Sequence, residues 1–172
     1  MRFSAGSSGI YLRQVRVTDQ DFLREAIRAA RQGIAAGQSP FGSAIVRDGQ
    51  VVAAAHNSVW RDTDPTAHAE VNNIRAAARA LNSIDLAGCT LYSTCEPCPM
   101  CLAAIHWAKI TRVVYGAAIE DAAAAGFSEL RVHAGELARL GRSPLVVEGG
   151  VLVDECRALF TEFQERSPGK TY

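Results

Sequence analysis

Helix-like and strand-like patterns alternate along this chain in an order that few folds can accommodate. An amphipathic stretch at residues 20–36 precedes two strand-like segments, 43–47 and 51–59, and these are joined at Asp48-Gly49, a dipeptide typical of hairpin turns. Helix and strand patterns then alternate toward the C-terminus. A hairpin followed by this alternation favours a mixed sheet covered by helices on both faces. We therefore predict the α/β class, as a three-layer α/β/α sandwich with a mixed five-stranded sheet.

The remaining elements follow from the same patterns. We expect a loop at 60–66, strands at 89–94, 113–116 and 145–148, and helices at 67–81, from just after 97 to 109, at 122–140 (one or two helices) and at 151–165. Right-handed crossovers would place the starts of the second and third helices on one rim, beyond the strand ends. Chemistry carried by those two helix starts would then converge.

Length and composition bound the class of protein. The chain has 172 residues, 48% of them hydrophobic, which predicts a single domain over 1–172 with a short flexible leader at 1–9 and a polar tail at 167–172. Eighteen basic residues balance eighteen acidic ones, which argues against a protein that wraps nucleic acid. No stretch is apolar enough for a membrane span, and we expect neither a signal peptide nor a membrane partner. The expected location is the cytoplasm.

Two short motifs carry the chemistry. One is His68-Ala69-Glu70, and the other is Cys95-Glu96-Pro97-Cys98; each is predicted to lie in the first turn of a helix. Cys95 and Cys98 are three residues apart, so their sulfurs can converge on one ion, and imidazole with two thiolates is a zinc ligand set. Three protein ligands leave a fourth position open for water, as is typical of catalytic zinc. We predict one Zn²⁺ per chain, held by His68, Cys95 and Cys98.

Glu70 lies two residues after His68 and can face the same pocket without binding the metal. A carboxylate there can take a proton from water and return it to the substrate. A histidine, a glutamate two residues on, and a later proline-cysteine motif are together the signature of zinc nucleobase deaminases.

Three other interpretations compete with a catalytic zinc. Cys101 could supply a fourth ligand to a closed structural zinc site, although three cysteines at this spacing drift around a helix and are hard to aim at one ion. Buried inert thiols with a core histidine need no metal. A redox pair at Cys95 and Cys98 would leave His68 and Glu70 unexplained.

From residue 40 to about residue 130 the chain resembles the cytidine/deoxycytidylate deaminase superfamily, and within it most closely the bacterial guanine deaminases. The matching stretches are Pro40-Phe41-Gly42, Ala44-Ile45-Val46, His56-Asn57, the run from Asp64 to Val71, and the run from Cys95 to Trp107. The resemblance implies hydrolytic deamination of a purine, most closely guanine to xanthine and ammonia. Guanosine, cytosine, an aminotriazine or the adenosine of a tRNA are alternatives. It also implies a homodimer with exchanged C-terminal segments.

The resemblance implies further site residues. Glu129 would be a second acid that moves protons, with Asp121 as the competing candidate. Substrate contacts are implied for five residues: Phe41, Asn57, Ala69, Trp107 and Tyr172. Among these, Phe41 and Trp107 would sandwich the planar base, and Tyr172 would cover the partner's site. Ser128 departs from the pattern, because relatives often have aspartate there.

Overall fold

The computed structural model describes residues 17–171 and has a single five-stranded sheet at its centre. Its strands are β1 (Gly42–Arg47), β2 (Gln50–His56), β3 (Cys89–Cys95), β4 (Arg112–Ala117) and β5 (Val146–Glu148). They lie side by side in the order β2-β1-β3-β4-β5. β1 is antiparallel to β2 and to β3, whereas β3 and β4, and β4 and β5, are parallel. The predicted mixed sheet of five strands is confirmed.

Helices cover both faces of this sheet. They are α1 (Asp19–Ala35), α2 (Val59–Asp62), α3 (Ala69–Leu81), α4 (Pro99–Trp107), α5 (Ile119–Ala124), α6 (Ala134–Leu140) and α7 (Val153–Arg166). Apolar residues of α1 and α7 form one buried cluster with inward-facing strand residues such as Val114. Residues of α3, α4 and α6 form a second cluster with Leu91 and Val113 on the opposite face. The predicted three-layer sandwich is therefore confirmed.

The main difference from the sequence prediction lies after β2. The second strand ends at His56 rather than at Val59, because the Asn57 side-chain oxygen accepts the Val59 N–H at 3.1 Å and turns the chain into α2. This short helix occupies the start of the segment predicted as a loop at 60–66. The segment predicted as one or two helices at 122–140 contains two, α5, which begins earlier at Ile119, and α6. The order of the larger elements is as predicted.

An ion pair joins the start of α1 to strand β4. Arg112 on β4 donates to the two carboxylate oxygens of Asp19 at 2.8 and 2.9 Å, and the Tyr92 hydroxyl donates to the same carboxylate at 2.7 Å. The hydrogen bonds from Arg112 lower the pKa of Asp19 to about 2. Arg112 also pairs with Glu148 on β5. One guanidinium thus links α1, β4 and β5.

Some predictions fall outside the described residues. The leader at 1–9 and Tyr172 at the end of the tail are among them. Among residues 17–171, no helix combines the length and the apolar character that crossing a bilayer requires.

Candidate active site

A narrow pocket lies at the carboxyl end of β3, where the chain enters α4. Seven residues line it: Phe41, His68, Glu70, Cys95, Glu96, Cys98 and Glu129. His68 is the N-cap residue of α3, and Cys98 is the N-cap residue of α4, with Pro99 in the first helical position. The two helix starts therefore meet on one rim, as predicted.

Two of these lining residues, His68 and Cys98, can share one metal ion with the buried Cys101. The Nδ1 of His68 lies 3.7 Å from the Cys98 sulfur and 3.5 Å from the Cys101 sulfur. All three ligand atoms lie within 4.8 Å of one another. Zn–S bonds of about 2.3 Å and Zn–N bonds of about 2.0 Å at a tetrahedral angle put sulfur and nitrogen about 3.5 Å apart. The residues present therefore fit zinc, and they leave one position open.

This arrangement corrects the predicted ligand set. Cys95 is the last residue of β3, and its thiol donates to the Ala118 carbonyl oxygen at 3.5 Å, whereas Cys101 joins His68 and Cys98. The cause is the change of backbone at the strand end: Cys98 caps α4 and Cys101 lies in its first turn, so these two side chains lie on one side of the helix start. The prediction that Cys95 joins this group is therefore wrong.

Hydrogen bonds and burial set the protonation of the cluster. The side-chain hydrogen bond between Cys98 and Cys101 outweighs burial and lowers the pKa of Cys98 to about 4, with His68 adding to the effect. The same bond, together with burial, raises the pKa of Cys101. Burial alone would lower the pKa of His68, but its bond to Cys98 and the nearby acids raise it. Cys98 is thus held as a thiolate, the form that binds metal.

Glu70 is buried beside this cluster, in the first turn of α3. Its Oε1 accepts from the Ser93 hydroxyl at 2.9 Å, and its Oε2 accepts from the Cys101 thiol at 3.4 Å. Burial raises the pKa of Glu70. The arrangement therefore places a carboxylate of elevated proton affinity against the metal-binding group, which is what proton transfer beside a metal requires.

The two candidate second acids have different surroundings. Glu129 lines the pocket, and burial raises the pKa of its carboxyl group. Asp121 instead accepts the Ala118 N–H at 2.9 Å at the start of α5 and pairs with Arg157 at 2.9 Å. The structure thus brings Glu129, and not Asp121, to Glu70.

The predicted substrate contacts divide in the same way. Phe41 lines the pocket while its ring also packs edge-on against Phe127, with ring centroids 4.9 Å apart. Asn57 is fully buried beside it, and its N–H donates to the Phe41 carbonyl at 3.0 Å. Ala69 is buried between His68 and Glu70. These three residues lie in or next to the pocket.

Trp107 does not join them. It ends α4, nine residues after Cys98, which at 1.5 Å per residue is about 13 Å along the helix axis. Its side chain is 75% exposed and borders a separate apolar cavity of about 170 Å³. The prediction that Trp107 sandwiches the base of its own subunit is wrong, because the metal-binding group is at the opposite end of that helix. Tyr172 lies outside the described residues.

Sequence reasoning treated Cys101 only as the extra ligand of a closed site, and it did not identify Ser93 or Glu96. For Cys101 the signal was present, because Pro97-Cys98-Pro99-Met100-Cys101 places a proline directly before the first of two cysteines at metal-ligand spacing. Glu96 is buried, and its carboxylate accepts the Ala134 N–H at 2.8 Å and the Ile119 N–H at 3.3 Å. It thereby ties the end of β3 to the chain on both sides of Glu129.

A His/Cys/Cys group with a buried carboxylate, on the rim of an α/β/α sandwich, defines a zinc-dependent hydrolase of nucleobase-deaminase type. The family model described as the cytidine and deoxycytidylate deaminase zinc-binding region matches residues 16–117. The chain therefore belongs to the cytidine and deoxycytidylate deaminase family.

Individual relatives fall into two groups. The chain is 49% identical over 115 residues to the guanine deaminase of Bacillus subtilis, an alignment that covers 66% of this chain and 74% of that protein. A tRNA-specific adenosine deaminase of the same species is 34% identical over 145 residues, covering 84% and 88%. Among solved structures, a guanine deaminase from Nitrosomonas europaea superposes with a TM-score of 0.80 at 28% identity, covering 87% of this chain and 86% of that one.

Proposed function

We propose that this protein hydrolyses guanine to xanthine and ammonia with one bound zinc ion. The observation that carries the reaction type is the position of Glu70, whose carboxylate contacts the Cys101 thiol of the metal-binding group. The choice of guanine is supported by the 49% identity to a guanine deaminase and by the structural similarity to a second one.

His68, Cys98 and Cys101 would hold the zinc, since their separations match a tetrahedral site and one position stays open. Bound zinc supplies the electrophilic activation that makes water a nucleophile at neutral pH. The open position makes this a catalytic rather than a structural site.

Glu70 carries the protons in this proposal. Its Oε2 faces the metal-binding group, so it can accept a proton from the attacking water and deliver it to a ring nitrogen of the base. The second proton of that water leaves with the exocyclic amine as ammonia. The overall reaction, guanine plus water to xanthine plus ammonia, then balances without any other reactant.

Three residues would bind and orient the base. Phe41 and Glu129 line the pocket, and the buried Asn57 donates its backbone N–H to the Phe41 carbonyl. The pocket encloses only about 20 Å³, room for one water molecule.

The alternative substrate is adenosine in a tRNA, and the similarity to tRNA-specific adenosine deaminases favours it. Such an enzyme grips phosphates with lysine and arginine. Two arginines of the surface groove beside β2 already face carboxylates, Arg61 with Asp62 at 2.8 Å and Arg75 with Asp64 at 3.9 Å. We therefore rank the free base above RNA.

The test is ammonia release from guanine, guanosine, adenosine, cytosine, an aminotriazine and a tRNA stem-loop, with the zinc-loaded protein. We expect guanine to be the best substrate. Glu70→Gln is the negative control, because it keeps the shape of the side chain and all three metal ligands but removes the group that carries the protons. Its turnover should be at least a hundredfold lower than that of the parent, with the zinc content unchanged. A stem-loop that outperforms guanine would establish the alternative.

We also propose a homodimer that forms through the face bearing α3 and α4. Trp107 and Ile84, 75% and 90% exposed, flank an apolar groove on this face, and clustered exposed apolar side chains mark interfaces. Light scattering should show Trp107→Asp as a monomer and Val51→Asp, on edge strand β2, as a dimer. A dimeric Trp107→Asp would place the interface elsewhere.

The tail would cover the pocket within this dimer. Lys170 lies over the Trp60 ring at 3.9 Å and donates to the Gly37 carbonyl at 2.9 Å, and a Cβ added to Gly126 would meet Thr171 at 3.4 Å. These contacts are within one chain, and Gly126 directly precedes Phe127, whose ring packs against Phe41 of the pocket. Mixing a chain truncated after residue 169 with a Glu70→Gln chain decides the arrangement: activity above both parents indicates exchange, and no gain indicates that each tail covers its own subunit.

We place the protein in the cytoplasm, where the ligand thiols stay reduced.

A further inference from the structure

Two polar side-chain pairs lie buried between α3 and the sheet, and Glu70 belongs to one of them. The Ser93 hydroxyl donates to Glu70 Oε1 at 2.9 Å, and the Asn73 side-chain amide donates to Ser43 Oγ at 3.1 Å. Glu70 and Asn73 are one turn apart on α3, and Ser43 and Ser93 are register partners on β1 and β3. All four residues are at most 6% exposed. Glu70 is thus hydrogen-bonded to β3, and Asn73 to the adjacent strand β1.

Stability alone does not account for this polar layer. Among residues 17–171, the Oδ1 of Asn73 is buried without a hydrogen-bond partner. A buried acceptor without a hydrogen-bond partner destabilises the folded state, and apolar side chains of similar shape would avoid that loss of stability. The Asn73–Ser43 pair does not line the pocket, whereas the Ser93–Glu70 pair ends on a residue that does, so a role in the adjacent site falls to Ser93.

The two oxygens of Glu70 face in different directions. Oε1 is fixed to β3 through Ser93, which leaves Oε2 toward Cys101 and the metal-binding group. Without the serine hydroxyl, the carboxylate can turn about its terminal bond and lose that orientation. Misplacement of a catalytic group by about 1 Å costs on the order of a hundredfold in rate.

We infer that Ser93 is a positioning residue for Glu70, and that it holds the carboxylate in the orientation that proton transfer needs. The inference rests on the proposed function, because it concerns the residue that carries the protons there. Ser93 is not among the residues that line the pocket, and it acts through its hydrogen bond to Glu70.

The test compares Ser93→Ala with Ser43→Ala in the zinc-loaded protein. Ser43→Ala is the matched control, since it removes an equally buried hydroxyl from the neighbouring strand at the paired position. We expect Ser93→Ala to lower kcat about ten- to a hundredfold with KM and zinc content nearly unchanged, and Ser43→Ala to lower only the melting temperature. Equal losses of kcat in both variants, or no loss in Ser93→Ala, would overturn the inference.

A second pair of variants separates the hydroxyl from packing. Ser93→Thr and Ser93→Val have the same shape but only threonine keeps the donor, so threonine should retain most of the kcat that valine loses. Similar activity in the two variants would contradict the positioning role.

Crystal structures of the zinc-loaded parent and of Ser93→Ala provide a readout that does not depend on substrate. The Glu70 carboxylate should rotate away from its parent orientation in the variant, and an unchanged carboxylate would refute the inference. If the parent releases no ammonia from any compound of the substrate panel, the proposed function fails, while the crystallographic comparison still decides the role of Ser93.

Discussion

Replacing each of two cysteines by serine tests the metal-binding group most directly. Cys101→Ser removes a sulfur that lies 3.5 Å from His68 Nδ1, whereas Cys95→Ser removes one that donates to the Ala118 carbonyl. Zinc binding by four-ligand structural sites is worth roughly 10–16 kcal/mol, or about 2.5–4 kcal/mol per ligand if the ligands share it equally. Loss of one ligand should therefore raise the Kd for zinc by roughly a hundred- to a thousandfold.

Cys95→Ser should behave differently. The shorter hydroxyl can still donate to the carbonyl of Ala118, so we expect about 1 kcal/mol of destabilisation and a full complement of zinc. Metal content after gel filtration, together with competition against a chromophoric chelator, measures both quantities. Zinc retained in Cys101→Ser and lost in Cys95→Ser would refute the geometric argument, because the strand-end cysteine would then have to rotate into the site.

Further predictions concern the second acid and acid stability. Glu129→Gln should lower kcat for guanine at least tenfold with zinc retained, because Glu129 lines the pocket. Asp121→Asn affects only the start of α5 and should change kcat less than threefold. Steady-state kinetics that rank the two variants the other way would move the role to Asp121. Asp19→Asn should destabilise the fold at pH 7 by about 1 kcal/mol, a value reduced for a carboxylate that is 41% exposed beside Arg112. Since the pKa of Asp19 is lowered to about 2, its contribution is complete above about pH 4 and disappears as the pH falls toward 2. Urea unfolding at pH 7, 4 and 2.5 should therefore show the difference between parent and variant shrinking with acidity, and a constant difference would contradict this assignment.

Some features were readable from local pattern because their causes are local. Hydrophobic periodicity and the turn at Asp48-Gly49 depend on neighbours in sequence, and they predicted the order of strands and helices closely. Short motifs behave in the same way. His68 and Glu70 lie two residues apart at one helix start, so the sequence alone was enough to bring them to one pocket.

Long-range arrangement was decided only by the folded chain. Asp121 and Glu129 are both acids that follow β4, and only the path of the segment after α5 puts Glu129 in the pocket and leaves Asp121 capping a helix. Trp107 differs in this respect, since the helix predicted to run to 109 already places it about two and a half turns beyond Cys98.

The cysteines show most clearly where sequence stops and tertiary structure begins. The amino-acid sequence determined the α/β/α architecture and a zinc chemistry built on His68 and two thiolates, because residue type and periodicity suffice for both. Spacing alone did not determine which two thiolates, since Cys95, Cys98 and Cys101 follow one another at equal intervals of three positions, and only the proline before Cys98 pointed to the later pair. The choice depends on where extended backbone gives way to helix: β3 ends at Cys95, and α4 begins after Cys98. The distance between two side chains follows from their separation in sequence only once the backbone conformation between them is fixed.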